Sequence, residues 1–267
     1  MEDIFLKRIK ENFAKIDKVL MVTSGKGGVG KSLISVSLAL ASAERGLKTG
    51  LLDLDVHGPS VPNILCFAGL VKASKSGLEP PEVRGVRIMS VGLLSGRNPI
   101  LLKGESKFRA LLTLLALTNW GDLDILVIDM PPGTGDETVL SLRLLRGLSN
   151  AGALVVTTPS RVSIPVVAKL TDLLRGEGIR VLGLVENMSY LRCGDSVIRP
   201  FGELDKEFLD SYDLEILASL PIDPLIENSV RNCDFSFENS SEFKSQIRSL
   251  LGRVMGGEER CASGFQV

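Results

Sequence analysis

The feature that most constrains this chain is a glycine-rich run near the N-terminus that fits the pattern G-x-x-x-x-G-K-[ST]. The run consists of Gly25, Lys26, Gly27, Gly28, Val29, Gly30, Lys31 and Ser32. An apolar run, residues 18–23, precedes it, and apolar residues at helical spacing follow it from Leu33 to Ala43. Strand, loop and helix in this order predict a phosphate-binding loop, in which backbone N–H groups surround a polyphosphate at a helix N-terminus. In such a loop Lys31 reaches the β- and γ-phosphates and the Ser32 hydroxyl ligates Mg²⁺.

Apolar runs and helical patterns alternate along the rest of the chain. This rhythm predicts a doubly wound α/β fold with a mostly parallel sheet and helices on both faces. Two of the strand patterns end in acids: residues 48–52 lead into Asp53 and Asp55, and residues 123–128 lead into Asp129. Because ligands bind at the carboxyl ends of parallel strands, these acids are candidates for the Mg²⁺ side of the site. For one of Asp53 and Asp55, a capping role in the loop stays open as the alternative.

Charge and hydropathy limit the classes of partner. The 267 residues include 31 basic and 32 acidic side chains, and the net charge of -1 creates no field that gathers nucleic acid or anionic lipid. No stretch approaches the ~18 continuous apolar residues of a membrane span, and the first residues lack the apolar core of a signal peptide. We therefore expect a cytoplasmic protein without a nucleic-acid or membrane partner, folded as one domain over residues 1–267.

The two ends of the chain and the cysteines allow further predictions. Residues 1–17 carry apolar side chains at helical spacing and predict an amphipathic helix that packs on the sheet edge, whereas residues 256–267 predict a flexible tail. Four cysteines are present: Cys66, Cys193, Cys233 and Cys261. They show no close pairing or regular spacing, which favours free thiols over a disulfide framework.

The second lysine of the glycine-rich run, Lys26, is one that most phosphate-binding loops do not need. With it, the run resembles the deviant Walker A motif of the ATPases that include MinD, ParA, the arsenite-pump ATPase and the nitrogenase iron protein. In that family the extra lysine reaches across a dimer interface to the nucleotide of the partner. The resemblance thus implies a homodimer, and it implies a catalytic role for Lys26 in addition to Lys31, Asp55 and Asp129.

Three further segments resemble the Mrp/ApbC branch of this family, whose members are described as ATP-dependent iron–sulfur cluster carriers. The segments are residues 51–62, 127–136 and 185–190. The resemblance implies that Asp55 helps to order Mg²⁺ or the attacking water and that Asp53 supports the metal shell. It also implies that Asn187 contacts the adenine, with Pro221 and Asp223 in a second loop beside the base. The chain lacks the Asn-Lys-x-Asp signature of guanine-selective proteins after Asn187, so ATP with Mg²⁺ is the expected cofactor.

The candidate cluster ligand departs from the pattern of this branch. Many members follow the Asn-Met-Ser-Tyr run with Cys-x-x-Cys, so that a dimer offers four thiolates to a bridging cluster. This chain has Cys193 at the first position and Ser196 at the second. A dimer then offers two thiolates where a [4Fe–4S] cluster usually takes four. Cys233 is a further ligand only if the fold brings it near, and otherwise it is a small packed residue.

The resemblance as a whole implies an Mrp-type ATPase. Such a protein works as a nucleotide-gated dimer, hydrolyses ATP slowly as a switch, and passes clusters to acceptor or assembly proteins. The alternative is a MinD/ParA-like positioning or partitioning ATPase without a cluster, although the near-neutral charge and the tail composition count against it. A small-molecule kinase is disfavoured by Lys26 and by the lack of a second-substrate motif. His57, the single histidine, is either a polar loop residue or a member of the site.

Overall fold

The computed structural model describes residues 2–56, 58–94, 104–234 and 241–256 of the chain. The helices in these ranges are α1 (Glu2–Phe13), α2 (Lys31–Glu44), α3 (Val61–Ile64), α4 (Val91–Leu94), α5 (Gly104–Leu117), α6 (Asp136–Leu144), α7 (Ile164–Gly176), α8 (Lys206–Ser211), α9 (Pro224–Arg231) and α10 (Ser241–Met255). The strands are β1 (Ile16–Ser24), β2 (Thr49–Asp53), β3 (Lys72–Ala73), β4 (Leu78–Glu79), β5 (Glu82–Val83), β6 (Val86–Ser90), β7 (Leu123–Asp129), β8 (Ala151–Thr157), β9 (Val181–Cys193), β10 (Ser196–Ile198) and β11 (Ile216–Pro221). Among the described helices, none combines the length and the apolar character that crossing a membrane requires.

Parallel strands form the body of the main sheet, in the spatial order β11-β9-β8-β1-β7-β2-β6. Two short antiparallel strands extend it, β5 beside β6 and β10 beside the end of β9. β1 lies in the middle and the chain winds outwards on both sides of it, so the prediction of a doubly wound, mostly parallel sheet is confirmed. In this topology the loops after the central strands form the ligand crevice.

Helices cover both faces of the sheet, as predicted. Along β1, Val19 and Met21 enter one buried apolar cluster, whereas Leu20 and Val22 enter the other. The first cluster also contains buried residues of α1, α5, α6 and α7, and the second contains buried residues of α2, α3, α9 and α10. The central strands are continuously apolar because successive side chains point to opposite faces and neither face meets water.

The N-terminal helix is shorter than predicted and packs beside α5. α1 ends at Phe13, because the chain enters β1 at Ile16, whereas the sequence predicts a helix over residues 1–17. Ile9 and Phe13 are buried in the cluster that α5 shares, and Asn12 Nδ2 donates to the Ala116 carbonyl oxygen at 2.8 Å. The apolar stripe of α1 therefore packs beside α5, in a cluster that also contains Val19 and Met21 of β1, and its packing on the sheet edge stays a prediction.

The apolar pattern of residues 179–185 predicts a strand that ends at Asn187, and β9 is longer than this prediction. The apolar pattern ends near Val185, but the strand continues through Asn187 to Cys193. Its polar residues are compatible with a buried strand because they have partners: Ser189 Oγ and Ser219 Oγ donate to Glu186 Oε2 at 3.3 and 2.8 Å. Side-chain hydrogen bonds between β9 and β11 thus replace the apolar contacts that mark other strands.

The prediction of free thiols is wrong for two cysteines. Cys66 and Cys233 form a disulfide with Cα atoms 5.8 Å apart, although 167 residues separate them in the sequence. Cys66 lies just beyond α3 and Cys233 just beyond α9, and both helices contribute to the same apolar cluster. The pairing therefore follows from helix packing and not from sequence spacing, and it leaves Cys233 unable to ligate a cluster while the bond holds.

Some predictions concern residues that lie outside the described ranges. His57, Cys261 and residues 257–267 of the predicted tail belong to this group. The single-domain organisation also stays a prediction.

Candidate active site

The glycine-rich loop joins β1 to α2 and takes a shape that only glycine adopts easily. Gly28 and Gly30 have positive φ angles of 76° and 85°, and Gly30 is the residue that caps α2. A Cβ on Gly30 would lie 2.2 Å from Asn187 Nδ2, so the space beside it is also closed to larger side chains. The first turn of α2 contains no acidic residue, which leaves the positive end of the helix dipole directed at the loop.

Asp129, at the end of β7, is the hydrogen-bonding centre of the site. Its carboxylate is fully buried and receives Lys31 Nζ at 2.7 Å and Ser35 Oγ at 2.8 Å on Oδ1. Ser32 Oγ donates to its other oxygen, Oδ2, at 2.6 Å. This arrangement arises because β1 and β7 are paired parallel neighbours, so the end of β7 lies beside the start of α2, which follows β1. The structure therefore brings together the loop lysine, the loop serine and the strand-end acid that the sequence predicts as one site.

Asp53, at the end of β2, is the second buried carboxylate. It stands next to Asp129 in the register of β2 and β7. Asp53 Oδ1 accepts from the Asp55 amide at 3.0 Å, and Oδ2 accepts from Ser90 Oγ at 3.0 Å and from the Val61 amide at 3.4 Å. Burial, followed by the negative charge of Asp129, raises the pKa of Asp53 to about 8. Asp53 therefore holds a proton at neutral pH in the nucleotide-free protein.

This protonation predicts a pH dependence of stability for the protein without Mg²⁺ and nucleotide. In the unfolded chain an aspartate titrates near its ordinary pKa, about 4, whereas folded Asp53 titrates at about 8. Between these values the folded state binds one proton more, so the Asp53 contribution to the free energy of unfolding falls as the pH rises. We expect Asp53→Asn to remove this slope in urea unfolding between about pH 5 and 9 in EDTA. If the free energy of unfolding depends on pH with the same slope in Asp53→Asn and wild type, the prediction is wrong. Asp124→Asn, at the far end of β7, is the control and is expected to keep the slope of wild type.

Asp55 shapes the turn that follows β2. Its Oδ1 accepts from the Gly58 amide at 3.0 Å, and its own amide donates to Asp53. Both acids therefore make loop hydrogen bonds of the capping kind. The role of Asp55 in ordering Mg²⁺ or water stays a prediction.

Lys26 lies at the exposed tip of the loop. Ser24 Oγ holds the backbone there by donating to the Lys26 carbonyl oxygen at 3.0 Å. Within the part of the chain that the structure describes, no carboxylate or other acceptor contacts the Lys26 ammonium group. At the base of the loop, the Gly133 amide donates to the Ser24 carbonyl oxygen at 2.7 Å, so the segment after β7 lies against the loop.

Asn187 lies against the glycine-rich loop, and the other predicted base-contacting residues lie one strand away. Asn187 is 5% exposed, and its Nδ2 donates to the Val29 carbonyl oxygen at 2.8 Å. Pro221 ends β11, which pairs with β9, and Asp223 caps α9 by accepting from the Leu225 amide at 2.9 Å. Asn187 thus connects β9 directly to the loop, while the contacts of these three residues with adenine stay predictions.

Sequence analysis missed Ser35 and Ser90, which hydrogen-bond to the two buried carboxylates. For Ser35 a signal exists: it lies one turn after Lys31 and Ser32 on α2, so it faces the same strand end as they do. Ser90 carries no such signal, because only the pairing of β2 with β6 brings it to Asp53.

The predicted cluster ligand lies apart from the loop. Cys193 is an exposed free thiol at the end of β9, where it pairs with Ser196 across the hairpin to β10. At ~3.3 Å per residue, β9 separates Cys193 from Asn187 by about 20 Å. Arg192 and Tyr190 fix this part of the strand to α10, since Arg192 Nε and the Tyr190 hydroxyl donate to Glu242 at 2.7 and 2.8 Å. Within the described ranges, no three His, Cys, Asp or Glu side chains cluster to hold a metal ion.

A central parallel sheet, a glycine-rich loop after its middle strand and a buried acid that bonds to the lysine and serine of that loop together define a P-loop NTPase. The chain belongs to the ParA family: the profile described as NUBPL iron-transfer P-loop NTPase matches residues 15–255. The family resemblance predicted from the deviant loop is confirmed.

Similar proteins include named iron–sulfur proteins and a solved nucleotide-binding protein. An "iron-sulfur cluster carrier protein" from Aquifex aeolicus (strain VF5) is 40% identical over 217 residues, covering 78% of this chain and 58% of that relative. The chain thus spans less than two thirds of the length of that protein. The rat "cytosolic Fe-S cluster assembly factor NUBP2" is 38% identical over 259 residues, covering 91% of this chain and 94% of the relative. A nucleotide-binding protein from Archaeoglobus fulgidus, solved with ADP, has a TM-score of 0.74 at 34% identity and covers 86% of this chain and 91% of its own.

Proposed function

We propose that the chain binds and hydrolyses ATP together with Mg²⁺. The observation that carries this proposal is the buried group formed by Lys31, Ser32 and Asp129 at the start of α2. Lys31 pairs with Asp129, and Asp53 lies beside Asp129 as a second buried carboxyl group, whose proton a bound divalent cation would displace. The residues present therefore suit a magnesium–nucleotide complex.

In this proposal each polar group has a defined task. Lys31 contacts the β- and γ-phosphates, and the Ser32 hydroxyl holds the metal, with Asp129 orienting that hydroxyl from behind. Asp53 supports the metal shell and Asp55 orders the attacking water. A bound metal ion would supply positive charge beside the phosphoryl group, and the residues of the protein act by positioning and electrostatic stabilisation. Asn187, Pro221 and Asp223 surround the adenine.

The exposed lysine of the loop supports a homodimer. Lys26 stands at the loop tip with its ammonium group away from the acids of its own described chain, as a residue that acts on a partner's nucleotide must. Val197, Ile198 and Phe201 are 48%, 49% and 47% exposed and follow Cys193 closely in the sequence. Exposed apolar side chains of this kind favour a contact surface, and a two-fold dimer buries the same patch on both copies.

The cargo that we propose is an iron–sulfur cluster, held where Cys193 of each copy meets at the dimer interface. The similarity to a cluster carrier and to a cluster assembly factor supports cluster carriage over positioning on DNA or membrane. Slow hydrolysis acts as the switch that opens the dimer and lets acceptor or assembly proteins take the cluster. The similarity to the cytosolic assembly factor NUBP2 supports a cytoplasmic location.

Cluster binding is expected to depend on Cys193 and to be labile. Two thiolates per dimer leave ligand positions for exogenous groups, because a serine hydroxyl is a harder and poorer ligand for iron–sulfur centres. Anaerobic reconstitution with iron and sulfide is therefore expected to load wild type, to fail in Cys193→Ala, and to yield a several-fold longer-lived cluster in Ser196→Cys. Absorption spectra with iron and sulfide content provide the measurement.

The matched control is Cys233→Ala, whose sulfur lies in the disulfide and not at the hairpin. It is expected to load like wild type. Equal iron and sulfide in wild type and Cys193→Ala, with no gain in Ser196→Cys, contradict cluster carriage at this site and leave an ATPase of this family without its cargo.

A further inference from the structure

The disulfide joins two segments that flank the candidate nucleotide site. Cys66 ends the α3 segment, residues 58–66, which follows the acids at the end of β2. Cys233 follows α9, and α9 begins directly after Asp223 in the predicted adenine loop. β2 and β11 lie on opposite sides of β1 in the sheet. One covalent bond therefore connects the metal side of the site with the base side.

The α3 segment is also connected to the site chemistry. The Val61 amide at the start of α3 donates to Asp53 Oδ2, the buried carboxylate beside Asp129. Val61 and Leu65 are buried in the cluster that contains Ile226 of α9. A movement of α3 away from α9 thus changes the surroundings of Asp53. In GTPases, segments that contact the γ-phosphate and its Mg²⁺ become ordered and are released on hydrolysis, and a segment bonded to an acid of this site is placed to respond in a similar way.

The two cysteines have the properties expected of residues whose disulfide forms and breaks reversibly. Both residues are exposed, so small thiols can reach the sulfur atoms. Exposed disulfides are commonly the labile and regulatory ones, and disulfides in reducing compartments are usually transient. Both residues also have positive φ angles, 49° for Cys66 and 57° for Cys233, which non-glycine residues adopt at a cost. The surrounding structure must hold them there, and the covalent link contributes to that restraint.

We propose that Cys66 and Cys233 form a reversible redox couple whose disulfide restrains the α3 segment, so that the oxidation state of the pair controls how easily this segment moves. Reversible formation of the disulfide does not depend on what the protein does, whereas the effect on ATP turnover rests on the proposed function.

A low-molecular-weight disulfide is the oxidant of the two cysteines. One cysteine thiolate attacks it and releases one small thiol, and the second cysteine then attacks the mixed disulfide and releases the other. Two protein thiols are oxidised, one small disulfide is reduced to two thiols, and a dithiol reverses the reaction.

Reversible formation of the disulfide is tested by equilibrating full-length protein in a series of reduced and oxidised glutathione mixtures. Free thiols are then alkylated and the peptides are weighed by mass spectrometry. We expect Cys66 and Cys233 to lose their alkyl label together across one two-electron transition, while Cys193 stays labelled or carries glutathione alone. Alkylation of Cys66 and Cys233 in the most oxidising mixture overturns the proposal, and so does independent oxidation of the two residues.

The restraint is tested by hydrogen exchange in nucleotide-free protein, which needs no catalysis. Amides of residues 58–66 are expected to exchange at least about tenfold faster after reduction, and Cys66→Ser is expected to exchange fast in both buffers. ATP turnover of wild type is expected to rise at least about threefold on reduction, with no response in Cys66→Ser. Cys261→Ser, which removes a different thiol of the chain, is the matched control and is expected to respond like wild type. Equal exchange in the two redox states contradicts the restraint. A redox-dependent exchange without any ATP hydrolysis supports the couple and contradicts the proposed function.

Discussion

Replacing Lys31 with alanine is expected to abolish ATP binding, with the dissociation constant rising at least about a hundredfold, because charge-assisted hydrogen bonds to phosphate contribute ~3 kcal/mol or more. The variant also leaves the buried Asp129 carboxylate without its cation, whose Nζ lies 2.7 Å away. Loss of one partner from a buried ion pair lowers the free energy of unfolding by about 3–5 kcal/mol. Titration with a fluorescent ATP analogue and urea unfolding measure the two effects.

Lys26→Ala is the matched control, since it removes the same charge from the same loop at an exposed position. It is expected to bind ATP almost as wild type does and to lose hydrolysis or ATP-dependent dimerisation. Lys31→Met also removes the cation but retains the buried aliphatic stem, so it shows how much of the loss of stability comes from lost packing, and urea unfolding of each variant shows whether the protein tested for binding is folded. An equal loss of binding in the Lys26 and Lys31 variants disproves the role of Lys26 across the dimer interface.

Asp129→Asn is expected to remain folded, at reduced stability because buried Lys31 loses its partner, and to lose Mg²⁺-dependent ATP turnover by about 10²–10³-fold. The loss of turnover follows because preorganised charge around the phosphoryl group carries most of this catalysis. The carboxamide retains one acceptor oxygen for the Ser32 or Ser35 hydroxyl and removes only the charge. Asp55→Asn is expected to behave similarly. Phosphate release with Mg²⁺ and with EDTA measures the loss.

Asp124→Asn is the control for this series. Asp124 lies on β7 as well, but it accepts from the Lys48 amide at 2.6 Å, at the end of the sheet away from the loop. Its turnover is expected to stay close to that of wild type. If Asp129→Asn or Asp55→Asn hydrolyses ATP at the wild-type rate with Mg²⁺ present, the residue concerned has a structural role only.

The sequence by itself determined the centre of the fold and of the site. The glycine-rich loop, β1 and α2 are contiguous in the chain, and their geometry depends on local backbone preferences and on one apolar pattern on each side. Asp53 and Asp129 were recognisable because both follow apolar strands, and parallel strands end at one edge of a sheet. The unusual Lys26 also identified the family, because the motif that contains it is contiguous in the sequence and can be recognised without knowing any distant contact.

The tertiary structure alone decided what depends on contacts between distant residues. Polar side chains in β9 predicted the end of a strand, but Ser219 on β11 satisfies Glu186 and the strand continues to Cys193. The proton on Asp53 arises from burial and from a neighbour on another strand. The disulfide between Cys66 and Cys233 forms because the ends of α3 and α9 pack together. Hydrophobic periodicity reports which face of one element is buried and carries no information about which other element covers it, so these features required the assembled fold.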